Sequence, residues 1–234
     1  MAELSPTTAI KSYIAEFRVS RGIERRFIMK VIGVNGSPRA DGNTFLTIKA
    51  FFDVLEEEGG FETEILHGGE GSVQGCMSCR GCAGRGECAV PGKKYEEMSA
   101  KLVEADGVFL AAPVYFGSMP GQMKSFLDRF FFPCIQTGKM RHKVGASAAI
   151  LRRTGGYTTI DDLNRYFFSG EMIPVGHCII HGTMPGEIMQ DSEGLSGIRR
   201  IARNMAWVIK MKEATKTTIE PPPYERRQHM NFIR

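Results

Sequence analysis

Four cysteines fall within thirteen residues, Cys76, Cys79, Cys82 and Cys88, in the pattern C-x2-C-x2-C-x5-C. Thiolates at this density hold soft metals or clusters, or act as redox thiols. Zinc ribbons usually present two C-x2-C knuckles separated by a longer spacer. Three successive cysteines at x2 spacing suit iron–sulfur ligation, although the fourth spacing differs. Gly75, Gly81, Gly84 and Gly86 would let the chain wrap a compact object and aim amides at sulfur. On spacing alone, a cluster, a zinc ion and metal-free thiols all stay open. Cys134 and Cys178 lie in apolar surroundings and read as buried thiols.

A second stretch suits a phosphate monoester: Gly36-Ser37-Pro38-Arg39-Ala40-Asp41-Gly42-Asn43-Thr44. Small residues allow backbone N–H groups to approach an anion. Ser37 and Thr44 offer hydroxyls, Asn43 an amide and Arg39 a charged fork. The helix that follows adds its partly positive N-terminus. No lysine follows Gly42 and no Gly-x-Gly-x-x-Gly occurs, so neither common nucleotide loop is present. A capped helix after a Gly-Pro turn accounts for the same residues without a ligand. His67, His142, His177, His181 and His229 show no metal-ligand spacing, and no Ser/His/Asp set stands out.

The elements that must position these residues alternate along the chain. Short apolar runs read as strands at 30–34, 61–66, 107–112, 143–151 and 174–180; helical spacing occurs at 43–57, 95–105, 121–131, 158–168 and 193–212. Such alternation argues for a parallel sheet covered on both faces, with ligands at the carboxyl ends of its strands. The cysteine loop, 71–92, falls between the second strand and the next helix. Residues 1–28 read as an added arm with an amphipathic helix at 10–17, residues 29–212 as the domain, and 213–234 as a tail containing Pro221-Pro222-Pro223. A chain of 234 residues with 42% hydrophobic residues can bury a core without metal or disulfide staples. A formal net charge of +4, with no basic stripe, gives no sign of nucleic-acid binding. No run of about 18–20 apolar residues and no signal-peptide pattern occur, so a cytoplasmic protein without a membrane partner is expected.

The loops after the first and third strands resemble those of the NADPH-dependent FMN reductase family of flavodoxin-like proteins. One is the stretch 36–44. The other is Ala112-Pro113-Val114-Tyr115-Phe116-Gly117-Ser118-Met119-Pro120-Gly121-Gln122-Met123-Lys124, followed by Phe126-Leu127-Asp128-Arg129. The resemblance covers roughly 29–212. It implies a flavodoxin-like, doubly wound α/β fold with five parallel strands. It implies FMN held at its phosphate by Ser37, Pro38, Arg39, Gly42, Asn43 and Thr44, and at its ring by Pro113, Val114, Tyr115, Phe116 and Gly117. Tyr115 and Phe116 give a flat ring an aromatic surface, and Gly117 permits close backbone approach. Thr154, Gly155 and Gly156, after Arg152 and Arg153, would flank the ring. Lys124 and Arg129 read as surface charges.

The cysteine loop, in its position after the second strand, resembles that of the iron–sulfur flavoproteins of the same family. This implies one [4Fe-4S] cluster on Cys76, Cys79, Cys82 and Cys88. Lys93-Lys94 stand where such proteins often carry acidic residues. The implied activity moves electrons from NAD(P)H or a reduced ferredoxin-like donor, through FMN and the cluster, to a small-molecule or protein acceptor. Homodimers or homotetramers are implied as well. The flavin carries the chemistry, so no catalytic side chain is expected. A cluster-free reductase of quinones, nitro compounds or flavins, a non-enzymatic electron carrier, and a zinc-held interaction module are the alternatives.

Overall fold

The computed structural model describes residues 28–226 and 228. The arm expected over 1–28, with its helix at 10–17, lies outside the described residues apart from Ile28. Five strands, β1 (Met29–Asn35), β2 (Phe61–Leu66), β3 (Gly107–Pro113), β4 (Val144–Leu151) and β5 (Ile173–His181), alternate with five helices. These are α1 (Asn43–Glu58), α2 (Lys93–Glu104), α3 (Gly121–Thr137), α4 (Gly156–Ser169) and α5 (Ser192–Thr215), and a 3-10 turn at Glu187–Gln190 precedes α5. The strands form one parallel sheet in the order β2-β1-β3-β4-β5.

Side chains alternate between the two faces, as a period of two requires. Val31, Phe109 and Ala111 enter the layer shared with α1 and α5, where Phe51 stacks on Phe109 at 4.1 Å. Ile32, Val34, Val108, Leu110 and Ala112 enter the opposite layer, with residues of α2, α3 and α4. Burial on both faces explains why the central strands are almost continuously apolar. The edge strands differ. β2 alternates half-buried and exposed positions and presents Glu62 and Glu64, charges that discourage edge pairing. β5 tolerates Pro174 because it lies at an edge, and its pairing with β4 shifts register between Gly145 and Ser147.

The chain leaves β1 for one side of the sheet and returns through β3 on the other. The strand order therefore switches between β1 and β3, and the loops after these strands border the crevice there. Two helices run longer than their sequence spacing indicates. α3 continues past 131 to Thr137, through Pro133. Phe130, Phe131, Pro133 and Cys134 are all buried there, and that packing outweighs the hydrogen bond proline cannot donate. Gly138, with φ 70°, ends the helix in the left-handed region. α5 continues to Thr215, and the tail beyond it returns to α3, where the Tyr224 hydroxyl donates to Gln136 O at 2.9 Å. Among the described residues no helix is long and apolar enough to cross a membrane.

Candidate functional site

The loop after β1 is shaped from within. Asn35, buried at the end of the strand, donates from Nδ2 to Arg39 O at 3.2 Å and Ala40 O at 3.1 Å. Its Oδ1 accepts from Ser37 N at 3.0 Å, and Ser37 Oγ accepts from Arg39 N at 3.1 Å. Gly36 sits so close to Ala111 that a Cβ there would stand 2.9 Å from its carbonyl oxygen. Ser37 and Thr44 are buried; Pro38 and Arg39 face solvent. Asn43 has structural partners beside the expected phosphate role. Its Nδ2 donates to Met184 O at 2.9 Å and its Oδ1 accepts from Gly186 N at 2.7 Å. Both ends of that amide tie α1 to the segment after β5, and the second Nδ2 hydrogen is left as the side-chain donor for an anion.

The loop after β3 is a tight reversal. Tyr115 N donates to Ser118 O at 2.8 Å and Ser118 N to Tyr115 O at 3.2 Å. The central residues, Phe116 at φ 50° and Gly117 at φ 84°, both lie in the left-handed region. A phenylalanine held there is strained by about 1–2 kcal/mol. Its side chain is also wholly exposed, and Tyr115 is half exposed. A strained turn that offers an apolar ring to solvent presents a surface on which a flat ligand could pack. Asp162 of α4 braces it through a short hydrogen bond from Ser118 Oγ. Val114 N donates to Ile150 O at 2.9 Å and anchors the turn to β4.

The loop after β4 abuts this turn. Gly155, at φ 87°, lies so near that a Cβ would come within 2.7 Å of Gly117 Cα and 2.8 Å of Val114. Thr154, Gly155 and Gly156 thus stand beside Val114 and Gly117. On their other side, toward β5, lies an open cavity of about 560 Å³ lined by Arg153, Tyr157, His181, Asp191 and Glu193. Asp191 there accepts from Gly194 N and His181 N, and these bonds hold its carboxyl below the usual range against the opposing effect of burial.

The helices sort by their N-termini. α1, α3 and α4, which follow the three loops just described, have no side-chain cap and no acidic residue in the first turn. α2 carries Glu96, whose Oε1 accepts from Gly92 N at 3.0 Å, and α5 is capped by Asp191 and carries Glu193. The positive ends left without a protein anion are those of the helices that open at the crevice.

Between β2 and α2 the cysteine loop runs without strand or helix. All four cysteines line one small cavity with Arg129, Phe132 and Pro133 of α3. The loop lies along a single stripe of that helix. Gly75 meets Ser125, Cys88 meets Arg129 and Gly86 meets Thr137, positions four or eight apart and therefore on one face. Gly84 and Gly86 take positive φ, but in the cysteine-dense half it is Ser78 at 55° and Arg80 at 57° that do so. Sulfur receives N–H groups: Ser78 N approaches Cys76 Sγ at 3.5 Å, Val90 N Cys88 Sγ at 3.4 Å and Arg129 Nε Cys88 Sγ at 3.3 Å. Burial first, and then the nearby Cys88, Cys76 and Cys79 thiols, push the Cys82 thiol up. Four thiols on one cavity with N–H donors aimed at sulfur fit a thiolate-ligated cluster. Among the described residues no three His, Cys, Asp or Glu side chains converge as the ligands of a single metal ion.

Arg129 corrects its reading as a surface charge. It is 4% exposed, while Lys124 on the same helix is exposed and pairs with Asp128. Its signal in the sequence was position: three after Phe126 and one before Phe130, it falls on the buried stripe of α3. Asp162, the brace of the aromatic turn, was also missed; only its contact with Ser118 reveals it. Cys134 and Cys178 are buried as expected, and burial pushes each thiol up to about 11.

A doubly wound parallel sheet with uncapped helix ends and an aromatic turn at its switch point defines a flavodoxin-like protein. Solved structures agree on the fold. RosB with bound 8-demethyl-8-formylriboflavin-5'-phosphate superposes with a TM-score of 0.66 at 16% identity, covering 88% of this chain and 94% of that one. A flavodoxin, WrbA-like protein from Agrobacterium tumefaciens gives 0.53 at 15% identity, covering 79% and 98%. The family profile described as NADPH-dependent FMN reductase matches residues 29–183. An iron–sulfur flavoprotein of Methanocaldococcus jannaschii is 35% identical over 193 residues, 78% of this chain and 98% of that protein. The chain belongs to the NADPH-dependent FMN reductase family and is an oxidoreductase of that kind.

Proposed function

We propose that this oxidoreductase holds FMN in the crevice above β1, β3 and β4 and a [4Fe-4S] cluster on Cys76, Cys79, Cys82 and Cys88. It would pass electrons from NAD(P)H or a reduced ferredoxin-like protein to an external acceptor. When bound, FMN supplies exchange between two-electron and one-electron transfers, and the cluster supplies one-electron storage. The residues bind and orient. Ser37, Arg39, Thr44 and the backbone N–H groups from Gly42 onward surround the phosphate at the uncapped end of α1. Pro38 shapes that loop, and Asn43 locks α1 to the segment after β5. Pro113, Val114, Tyr115, Phe116 and Gly117 form one wall for the ring; Thr154, Gly155 and Gly156 form the neighbouring one. Assembly as a homodimer or homotetramer belongs to the same proposal and rests on the family resemblance.

The observation that carries the reading is the meeting of the loops after β3 and β4 at Gly155 and Gly117, beside helix ends that lack a protein anion. The test is anaerobic mixing of the protein with NADPH, NADH or reduced ferredoxin while flavin absorbance is followed. Bleaching by at least one donor is expected. A flavin that none of them reduces would end the proposal. The second reading, a cluster-free reductase, is favoured by the exposure of Cys76 and Cys79. It expects full turnover after all four cysteines become serine.

A further inference from the structure

We infer that Arg129 is the charge-compensating residue of the cysteine loop: its buried guanidinium holds Cys88 and sets the reduction potential of the group bound there. The inference rests on the cluster reading above. A buried cation is costly unless an anion and hydrogen-bond acceptors surround it. Among the described residues no carboxylate pairs with Arg129. Its neighbours are Cys88 Sγ, 3.3 Å from Nε, Pro91 O, 3.3 Å from one terminal nitrogen, Val90 O, in a shorter contact with the same nitrogen, and the face of Tyr95, 3.9 Å from its central carbon. The Tyr95 hydroxyl in turn donates to Arg129 O at 3.2 Å. Besides the Tyr95 phenol, which is neutral at ordinary pH, the group in that shell able to carry negative charge beside the guanidinium is the Cys88 sulfur. One terminal nitrogen of the guanidinium also holds the carbonyls of Val90 and Pro91, where the loop closes onto α2.

The compensation has a direction. A four-thiolate cluster site is net anionic in both redox states and gains one further negative charge on reduction. That electron comes from an external one-electron reductant; no bond forms or breaks and no proton moves. A fixed cation against a ligand sulfur stabilises the reduced state more than the oxidised one, so it raises the potential. Arg129 touches a ligand rather than the substrate, and its effect is read in the potential, which a purely structural role would leave unchanged.

The test compares the native protein with Arg129→Gln and Arg129→Lys, all purified without air. Iron, acid-labile sulfide and FMN are quantified, and the cluster is titrated with dithionite under electron paramagnetic resonance. For Arg129→Gln the expected result is a shift to more negative potential of about tenfold or more in the one-electron equilibrium, 59 mV per tenfold. FMN content stays unchanged, and Arg129→Lys stays near the native potential. Native potentials in both variants, or equal shifts in both, overturn the role of the charge. Should Arg129→Gln lose its iron while Arg129→Lys keeps iron and potential, the charge is required and the inference holds. Loss of iron from both with FMN retained would show a packing role and overturn it. Native protein with FMN but neither iron nor sulfide would overturn the cluster reading itself.

Discussion

The crevice above the sheet and the cysteine loop are held by opposite means. The crevice is made of backbone at the ends of β1, β3 and β4, and its shape follows from the sheet: strand order, close glycine approaches and helix ends. The cysteine loop has no strand partner. It is fastened from outside by Arg129 of α3, and Gly75 and Gly86 pack close to Ser125 and Thr137 of the same helix. A site made by strand ends shares the stability of the core. A site fastened by side chains can change or fail while the core stands.

That contrast can be broken in order of size. Phe109→Ala removes a fully buried ring stacked on Phe51 and should cost about 3–5 kcal/mol in a urea titration. Both regions should be lost together, and loss of flavin alone would contradict a shared core. Gly155→Val places a branched side chain at φ 87° with its Cβ 2.7 Å from Gly117 Cα. With about 1–2 kcal/mol of backbone strain alone, FMN affinity should fall about tenfold or more, while iron content stays at the native level. Unchanged affinity would remove Gly155 from the flavin wall. Cys79→Ser alters an exposed thiol, so the stability of the metal-free protein should move by no more than about 0.5 kcal/mol. Iron should be lost and FMN kept; full retention of iron and sulfide would break the ligand assignment. A last effect separates the two kinds of thiol. Cys134 and Cys178, pushed up to about 11 from an ordinary 9.0, stay protonated in the folded chain while the unfolded chain loses its protons. Their contribution to stability is present below about pH 9 and is lost as pH rises toward 11. Urea unfolding of the metal-free protein at pH 8 and pH 10 should show that decline, and its absence after Cys134→Ala and Cys178→Ala would assign it to them.

Legibility followed the same division. Apolar runs alternating with helical spacing were enough for the five-stranded sheet, because burial on both faces leaves a continuous apolar signature in β1, β3 and β4. The phosphate-type loop and the aromatic turn were legible because glycine, proline and aromatic residues are the means by which backbone is shaped. The extension of α3 through Pro133 was not, since local chemistry argues for a stop and only tertiary packing overrides it. Asn43 was recognised as polar, but its partners, Met184 and Gly186, are distant in sequence. Arg129 was hidden for the same reason. An arginine on a helix reads as solvated until the segment that covers it is placed. The cysteines announced themselves by spacing, whereas the strain in their loop fell on Ser78 and Arg80, which carry no such signature.

The account turns on whether one chain carries both groups. The direct measurement is the ultraviolet–visible spectrum of protein purified without air, with FMN, iron and sulfide quantified on the same sample. The account predicts flavin bands over broad cluster absorption, stoichiometric FMN and about four irons per chain. Protein that takes up no added FMN, or that holds FMN with neither iron nor sulfide, would contradict it.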